Sequence, residues 1–293
     1  MLKKNKLKFG FPLGTWQKDS LELFKAAGYC LNFDEEFQKI ELDDPEIECI
    51  LARPIPMAEF VEKGFLDAGI STEVSVLEAK AKVKEICSLE FLKPVPSKTK
   101  LVVAVGKDSK IRNLHQLNGK KIATRVPNLA KDFLKRNKIS AELSYSDALN
   151  EPLIGVAVDA IIDFAKTGDY HKAYNLKVLQ TILESSIILI ANENSLKDIW
   201  KKEKIEGLGY LLKGARLGQE MTGLMFHASA EMMEEVLKVL PSLKKPTVTQ
   251  LRGEHSFDIL TTVNKKEIRK IIPRLKKIGC QAIVEFPLNK VVL

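Results

Sequence analysis

Apolar residues fall into short runs along the first ninety positions, with helically spaced stretches between them. "KLKFGFP" reads as a first strand ending in a Pro-Leu-Gly turn. "KDSLELFKAAGY" then repeats at helical spacing through Leu21, Phe24 and Ala27 and stops at Gly28. "IECILAR" is a buried strand. "PMAEFVEKGFLDAGIS" predicts an amphipathic helix, a glycine, and a strand whose end carries Ser71 and Thr72. Strands alternating with helices imply a mostly parallel sheet.

A second unit starts near "FLKPVPSKTKLVVAVG", where two prolines in three residues make a stiff crossover. "LVVAVG" is a strand, "NLHQLNG" a short helix and "KKIAT" a strand. Asn128 is placed to cap the helix "LAKDFLKRNK". "AELSYS" and "GVAVDAIIDFA" are further strands. "LKVLQTILESSIILIANE" supplies a long strand or a pair of strands that returns the chain to the first unit. Two α/β lobes joined by two crossings bind ligands in the cleft between them.

The pattern changes after the helical "SLKDIWKKEKIEGLGYLLKGARLG". "EMTGLMFHA" is a strand. "SAEMMEEVLKVLP" is a helix capped by Ser229, with Met232, Met233, Val236, Leu237 and Leu240 on one face. "PTVTQLRG" and "SFDILTTV" alternate as strands. "NKKEIRKIIPRLKKIG" opens with a capping box from Asn264 to Glu267, carries Pro273, which predicts a kink, and ends at Gly279. "CQAIVEFP" closes a βαββαβ order, that of a ferredoxin-like module. The fold class is therefore α/β: a two-lobed, periplasmic-binding-protein-like unit plus a C-terminal ferredoxin-like domain. The expected divisions are 1–92 for lobe I, 93–180 for lobe II, 181–214 for the return to lobe I and 215–293 for the terminal domain. The sequence shows no low-complexity segment and no internal repeat.

Composition narrows the partners. Hydrophobic residues make up 45% of the 293 positions, enough for real cores and too much for disorder. The net charge of +8 suits anionic ligands, but the lysines are scattered among acids. Aromatics do not interleave with them as a nucleic-acid platform requires, so no nucleic-acid partner is expected. The four cysteines, at 30, 49, 87 and 280, have no metal-ligand spacing and suit a reducing compartment. No stretch approaches the ~20 apolar residues of a membrane helix, and "LKFGFPLG" is no signal-peptide core. The reading is a cytoplasmic protein without a membrane partner.

The candidate chemistry clusters in "VDAIIDFAKTGDYHK". Asp159 and Asp163 are four apart and share a face of a strand or helix. Buried carboxylates need donors such as ribose hydroxyls, or a cation; the alternative is a strand-end aspartate closing a turn. Thr167 and Gly168 offer a hydroxyl and free N–H groups for a phosphate, with Asp169 as a like charge beside it. Ser71, Thr72 and Glu73 stand at a strand end, where α/β proteins bind ligands; the alternative is helix capping. Arg53 suits either a phosphate or a surface ion pair. Thr124 and Arg125 mark another strand end. Of the histidines 115, 171, 227 and 255, only His171 lies near the Thr-Gly turn. No nucleophile elbow, Walker loop, dinucleotide fingerprint or zinc motif is present.

These segments resemble a known family. "VEKGFLDAGIS", "LNGKKIATRVPNLAKDFL" and "VDAIIDFAKTG" occur in the order found in the ATP phosphoribosyltransferases. "GLMFHASAEMMEEVLKVLPSLKKPTVTQL" and "LKKIGCQAIVEFPLNKVV" resemble the regulatory domain of that family's long form. The resemblance covers nearly the whole chain. It implies that N1 of ATP displaces pyrophosphate from C1 of phosphoribosyl pyrophosphate, with Mg²⁺, in the first step of histidine biosynthesis. It further implies histidine as feedback inhibitor and a homo-oligomer that is a dimer or a hexamer. By position, Asp159 and Asp163 match the acidic pair that holds the ribose, Thr167 and Gly168 the start of the phosphate loop, Arg53 a cleft arginine, and Gly69, Ser71 and Thr72 the first lobe's strand end.

Three ligand-facing segments depart from the family pattern. Pro12-Leu13-Gly14-Thr15-Trp16 stands where the family usually has Pro-Lys-Gly-Arg-Leu. Asp169-Tyr170-His171 follows Thr167-Gly168 where the family has a small loop with a second threonine. "SDALNEP" replaces a Gly-Ser-Val-Glu stretch with a change of length. Charged hydrogen bonds are worth roughly 1.5–3 kcal/mol each, so losing two cations weighs on phosphate affinity. The alternative reading is a divergent paralogue with lost or altered catalysis that acts as a regulatory or ligand-binding protein.

Overall fold

The structure, a computed structural model, describes residues 5–14, 16–34, 36, 38–89, 99–147, 149–165, 174–240, 245–252 and 255–293. The chain divides into two compact units, Met1–Leu21 with Cys30–Gly209, and Glu22–Tyr29 with Tyr210–Leu293.

The first unit holds two five-stranded sheets. The first lobe is built from β1 (Leu7–Pro12), α1 (Gln17–Ala26) as far as Leu21, the hairpin β2 (Leu31–Asp34) and β3 (Lys39–Leu42), β4 (Ile47–Ala52), α2 (Pro54–Glu62), β5 (Ala68–Thr72), α3 (Glu73–Ala79) and β6 (Lys84–Ser88). The second has β7 (Thr99–Gly106), β8 (Lys121–Thr124), α4 (Pro127–Arg136), β9 (Glu142–Tyr145), β10 (Ala160–Ala165) and β11 (Leu176–Ser185). The chain then returns as β12 (Ile187–Ala191). The hairpin β2–β3 is an addition that the hydrophobic pattern does not announce.

The two sheets share one plan. The first runs β4-β1-β5-β12-β6 and the second β9-β8-β10-β7-β11. In each, three strands are parallel. In each, the strand that arrives from the other lobe is antiparallel to both its neighbours. The duplication is one of topology and leaves no repeat in the sequence. Central strands such as β5 are buried at every residue, as expected of parallel strands covered on both faces.

Gly10 and Gly69 are register partners on β1 and β5. A Cβ on them would lie 2.0 and 2.7 Å from Met57 Sδ of α2. The missing side chains let Met57 sit on the sheet.

The second lobe's last strand runs past position 180 to Ser185, and a single residue, Ser186, separates it from β12. This crossing is pinned to the start of α3. Val74 N donates to Ser185 Oγ at 3.1 Å, and Ser186 N donates to Glu73 Oε2 at 2.7 Å. The proline-bearing crossing at Pro94 and Pro96 lies outside the described residues.

Asn128 does not cap its helix. Pro127 takes the first helical position, which leaves Asn128 inside the first turn. The cap comes from the other lobe: Glu78 of α3 accepts from Asn128 N and Leu129 N, both at 2.9 Å.

The second unit carries α5 (Ile199–Glu220) from Tyr210 onward, then β13 (Met221–Ser229), α6 (Met233–Val239), β14 (Thr247–Gln250), β15 (Ser256–Asn264), α7 (Lys265–Ile278) and β16 (Gln281–Pro287). Its antiparallel sheet, β14-β15-β13-β16, completes the ferredoxin-like βαββαβ order. Leu224, Phe226, Val236, Ile259, Ile271 and Leu275 form the core. Two local expectations change. Residues 230–232 form a 3₁₀ turn ahead of α6, and Ser229 Oγ donates to Glu231 Oε2 instead of capping the helix. The altered phase leaves Leu237 48% exposed while Val236 is buried. At α7, Asn264 Oδ1 accepts from Lys266 N, and Gly279 ends the helix at φ +110°.

Candidate functional site

The first unit gathers its candidate residues where parallel strands end at their carboxyl termini, the usual place for α/β ligand sites. Arg53 follows β4 and Ser71 and Thr72 end β5. Thr124 ends β8 and Arg125 follows it, and Asp147 follows β9. Thr167, Gly168, Asp169 and His171 lie outside the described residues.

Asp163 is 1% exposed on β10, in the middle of the sheet. A carboxylate there requires a full set of donors. Arg125 Nε donates to both its oxygens, at 2.8 and 3.0 Å, and Arg125 Nη2 lies 2.7 Å from Oδ1. Asn150 Nδ2 donates to Oδ2 at 2.8 Å and Phe164 N to Oδ1 at 2.7 Å. The guanidinium carbon of Arg125 also stands 5.6 Å from the centre of the Phe164 ring. This fork-on-carboxylate geometry is the strong, orienting kind.

Asp159 is occupied elsewhere. It precedes the first residue of β10, roughly 13 Å along the strand from Asp163. Its Oδ2 accepts from Lys121 N at 3.0 Å, and Lys120 Nζ lies 3.5 Å from Oδ1. The two carboxylates share a strand face but do not converge. Asp159 lines a 590 Å³ cavity with Gly106, Lys107, Glu151 and Tyr174. That cavity sits where β10 begins, the opposite end of the sheet from the strand termini, so it is not the candidate site.

The three hydroxyls are spent on local structure. Ser71 Oγ donates to Pro54 O at 2.8 Å. Thr72 caps α3, accepting from Ser75 N at 3.1 Å. Thr124, fully buried, accepts from Val126 N at 3.0 Å. Arg53 pairs with Asp147 across the cleft, joining equivalent positions of the two lobes, the ends of β4 and β9. Asp147 belongs to the divergent "SDALNEP" stretch, which sequence reading marked as altered without revealing its partner. Asn150, from the same stretch, is likewise legible only through its contact with Asp163. Among the described residues no three His, Cys, Asp or Glu side chains converge as a metal cage.

Two lobes of one strand plan, with arginines at the strand ends, followed in the chain by a ferredoxin-like domain, define a two-lobed α/β ligand-binding unit with an appended small domain. Comparison with known proteins specifies which. Residues 53–214 match the family model described as ATP phosphoribosyltransferase, HisG, and residues 218–290 match the HisG C-terminal domain. An ATP phosphoribosyltransferase of Pelotomaculum thermopropionicum is 37% identical over 287 residues, covering 98% of this chain and 99% of the relative. Another, from Thermodesulfovibrio yellowstonii, is 38% identical over 291 residues, 99% and 100% of the two chains. A chain of the ATP phosphoribosyl transferase (HisG:HisZ) complex from Thermotoga maritima shares the fold, with TM-score 0.58 at 21% identity over 70% of this chain and 98% of that one. The chain belongs to the ATP phosphoribosyltransferase family, in its long form with the C-terminal domain.

Proposed function

We propose that the chain condenses ATP with phosphoribosyl pyrophosphate to phosphoribosyl-ATP and pyrophosphate, the opening step of histidine biosynthesis. N1 of the adenine attacks C1 of the ribose, and the C1–O bond breaks with its electron pair leaving on pyrophosphate. The adenine amino group then sheds a proton. Positioning and charge stabilisation carry such a displacement. The observation that carries this reading is the tandem match of the two family models, 53–214 then 218–290, in a chain aligned end to end with its relatives. These matches favour the enzyme over a paralogue without catalysis.

The substrates belong in the cleft at the strand ends, where Arg53 and Arg125 supply positive charge. Mg²⁺ belongs to this reading as an ion that stabilises the departing pyrophosphate. The C-terminal unit is the seat for histidine as effector, and a homo-oligomer, dimeric or hexameric, is the working state in the cytoplasm. Among the described residues no helix is long and apolar enough to cross a membrane.

The test is direct. Purified chain with ATP, phosphoribosyl pyrophosphate and Mg²⁺ forms phosphoribosyl-ATP, followed by its ultraviolet absorbance. Absence of product, with phosphoribosyl pyrophosphate still raising the melting temperature, returns the paralogue reading. Added histidine slows turnover or shifts the oligomer in gel filtration; if it does neither, the terminal domain has no effector role.

A further inference from the structure

We infer that Asp163 serves the reaction through Arg125: the buried carboxylate is a positioning residue that fixes the guanidinium at the end of β8 to take an oxygen of a phosphate or diphosphate group. This rests on the phosphoribosyltransferase reading and names the residues of that site which meet the anion.

The geometry carries the assignment. Every lone-pair direction that a ribose would need on Asp163 is already used, by Arg125, Asn150 and the Phe164 N–H. Asp163 is 1% exposed whereas the Arg125 side chain is 27% exposed, so the arginine is the member of the pair that a ligand can reach. Arg125 uses Nε and Nη2 on the carboxylate, and Nη1 has no partner among the described residues. A guanidinium bonded on one edge and held near Phe164 has lost its rotamer freedom before a ligand arrives.

Two further facts make this cation matter. The N-terminus of α4 lies three residues beyond Thr124, and its first free N–H groups go to Glu78, so that helix end is not open to a phosphate. The turn after β1 presents Leu13 where the family usually has lysine. With that lysine absent, positive charge at the strand ends comes from Arg53 on the first lobe and Arg125 on the second.

The experiment is a double-mutant cycle on the full chain. Phosphoribosyl pyrophosphate, pyrophosphate, inorganic phosphate and ribose 5-phosphate are titrated by calorimetry, and KM and kcat are measured for both substrates. Arg125→Met weakens phosphoribosyl pyrophosphate about ten- to a hundredfold, leaves KM for ATP within about twofold, and Arg125→Lys recovers part of the loss. Asp163→Asn weakens the same ligand, and Asp163→Asn with Arg125→Met is no worse than Arg125→Met alone, because Asp163 acts through the arginine. Pyrophosphate affected more than ribose 5-phosphate assigns the contact to the diphosphate, and the reverse assigns it to the 5-phosphate. Unchanged affinity in Arg125→Met overturns the inference even when wild type turns over. So do losses that multiply in the double variant, which would place Asp163 on the ribose directly. If Asp163→Asn does not fold, Arg125→Met and Arg125→Lys decide alone. A wild type that binds phosphoribosyl pyrophosphate without turnover sinks the catalytic reading and leaves the binding cycle to judge Arg125. A wild type that binds none of the four anions sinks both.

Discussion

Asn128 donates twice to Glu78 across the two lobes: the carboxylate of Glu78 accepts the Asn128 N–H and its carbonyl accepts the Asn128 side-chain amide, both at 2.9 Å. Glu78 is 4% exposed, so these bonds replace water at a buried helix start. Removing an N-terminal cap costs about 1–2 kcal/mol, and stranding buried N–H groups puts Glu78→Ala at the upper end of that range. Glu78→Gln keeps one acceptor and loses less. Thermal melts of the two variants check the order; equal stability of Glu78→Ala and wild type would remove the cap from the account of lobe docking.

The contact of Met57 with Gly10 and Gly69 predicts an overpacking penalty. A methyl at position 69 meets Met57 Sδ at 2.7 Å and the Gly10 carbonyl oxygen at 3.1 Å. Gly69→Ala is expected to lose about 1–3 kcal/mol. Shortening Met57 relieves only the sulfur clash, so Gly69→Ala with Met57→Ala loses less than the two single changes together. Urea titration of the four proteins measures the coupling; strict additivity contradicts the packing argument.

Asp67 gives the first lobe a defined acid sensitivity. Burial pushes its carboxyl up, but hydrogen bonds from Lys201, Ser195 and the Lys8 N–H, with the charge of Lys201, outweigh burial and hold it below its ordinary value. A carboxyl depressed in the folded chain binds its proton more readily once unfolded. Its contribution is therefore complete above about pH 4, the ordinary carboxylate value, and drains away as pH falls through the lower folded value. Asp67→Asn should destabilise the chain clearly at pH 7, and the gap to wild type should narrow over the acid interval below about pH 4. A gap that stays constant over that interval shows that the charge of Asp67 contributes nothing.

The strands and helices named above were legible because their apolar periods are strong and their stops are glycines, as at Gly28 and Gly279. The order of lobes and the ferredoxin-like tail followed from that alternation. What stayed hidden is nonlocal. Asn128 looks like a cap by spacing, yet Pro127 moves the helix start and the acceptor comes from Glu78, fifty residues earlier. Asp159 and Asp163 look like a pair by periodicity, yet β8 offers Lys121 N to one and Arg125 to the other. Arg125 was visible as a strand-end residue, but only the register of β8 against β10 reveals its partner. The duplicated strand plan leaves no repeat because topology constrains which residues are buried, not which apolar residues they are.

The thiols separate by burial. Desolvation pushes Cys49 up to about 12, and burial also raises Cys280. Cys87 is 8% exposed, whereas Cys30 is exposed. With an aromatic disulfide reagent at pH 8, Cys30 reacts first and the other three only on unfolding, because the thiolate is the nucleophile. Cys30→Ser abolishes the fast phase; a fast phase that survives in Cys30→Ser would mean that a second thiol is open in the folded chain.

Arg53 and Asp147 make the last case, because their ion pair competes with the proposed ligand. Both side chains are 59% exposed, so the pair is screened by solvent and salt. Exposed pairs contribute about 0–1 kcal/mol, which sets the ceiling on what a phosphate must overcome to claim the arginine. Asp147→Asn releases Arg53 and removes a negative charge from the cleft mouth. Phosphoribosyl pyrophosphate should bind up to about fivefold tighter, and the gain should fade in high salt. Arg53→Gln shifts affinity the other way, and in that background Asp147→Asn gives only the smaller benefit of the lost negative charge. Affinity unchanged by Asp147→Asn at low ionic strength would show that the pair does not restrain Arg53, and the arginine would then need no release to meet its ligand.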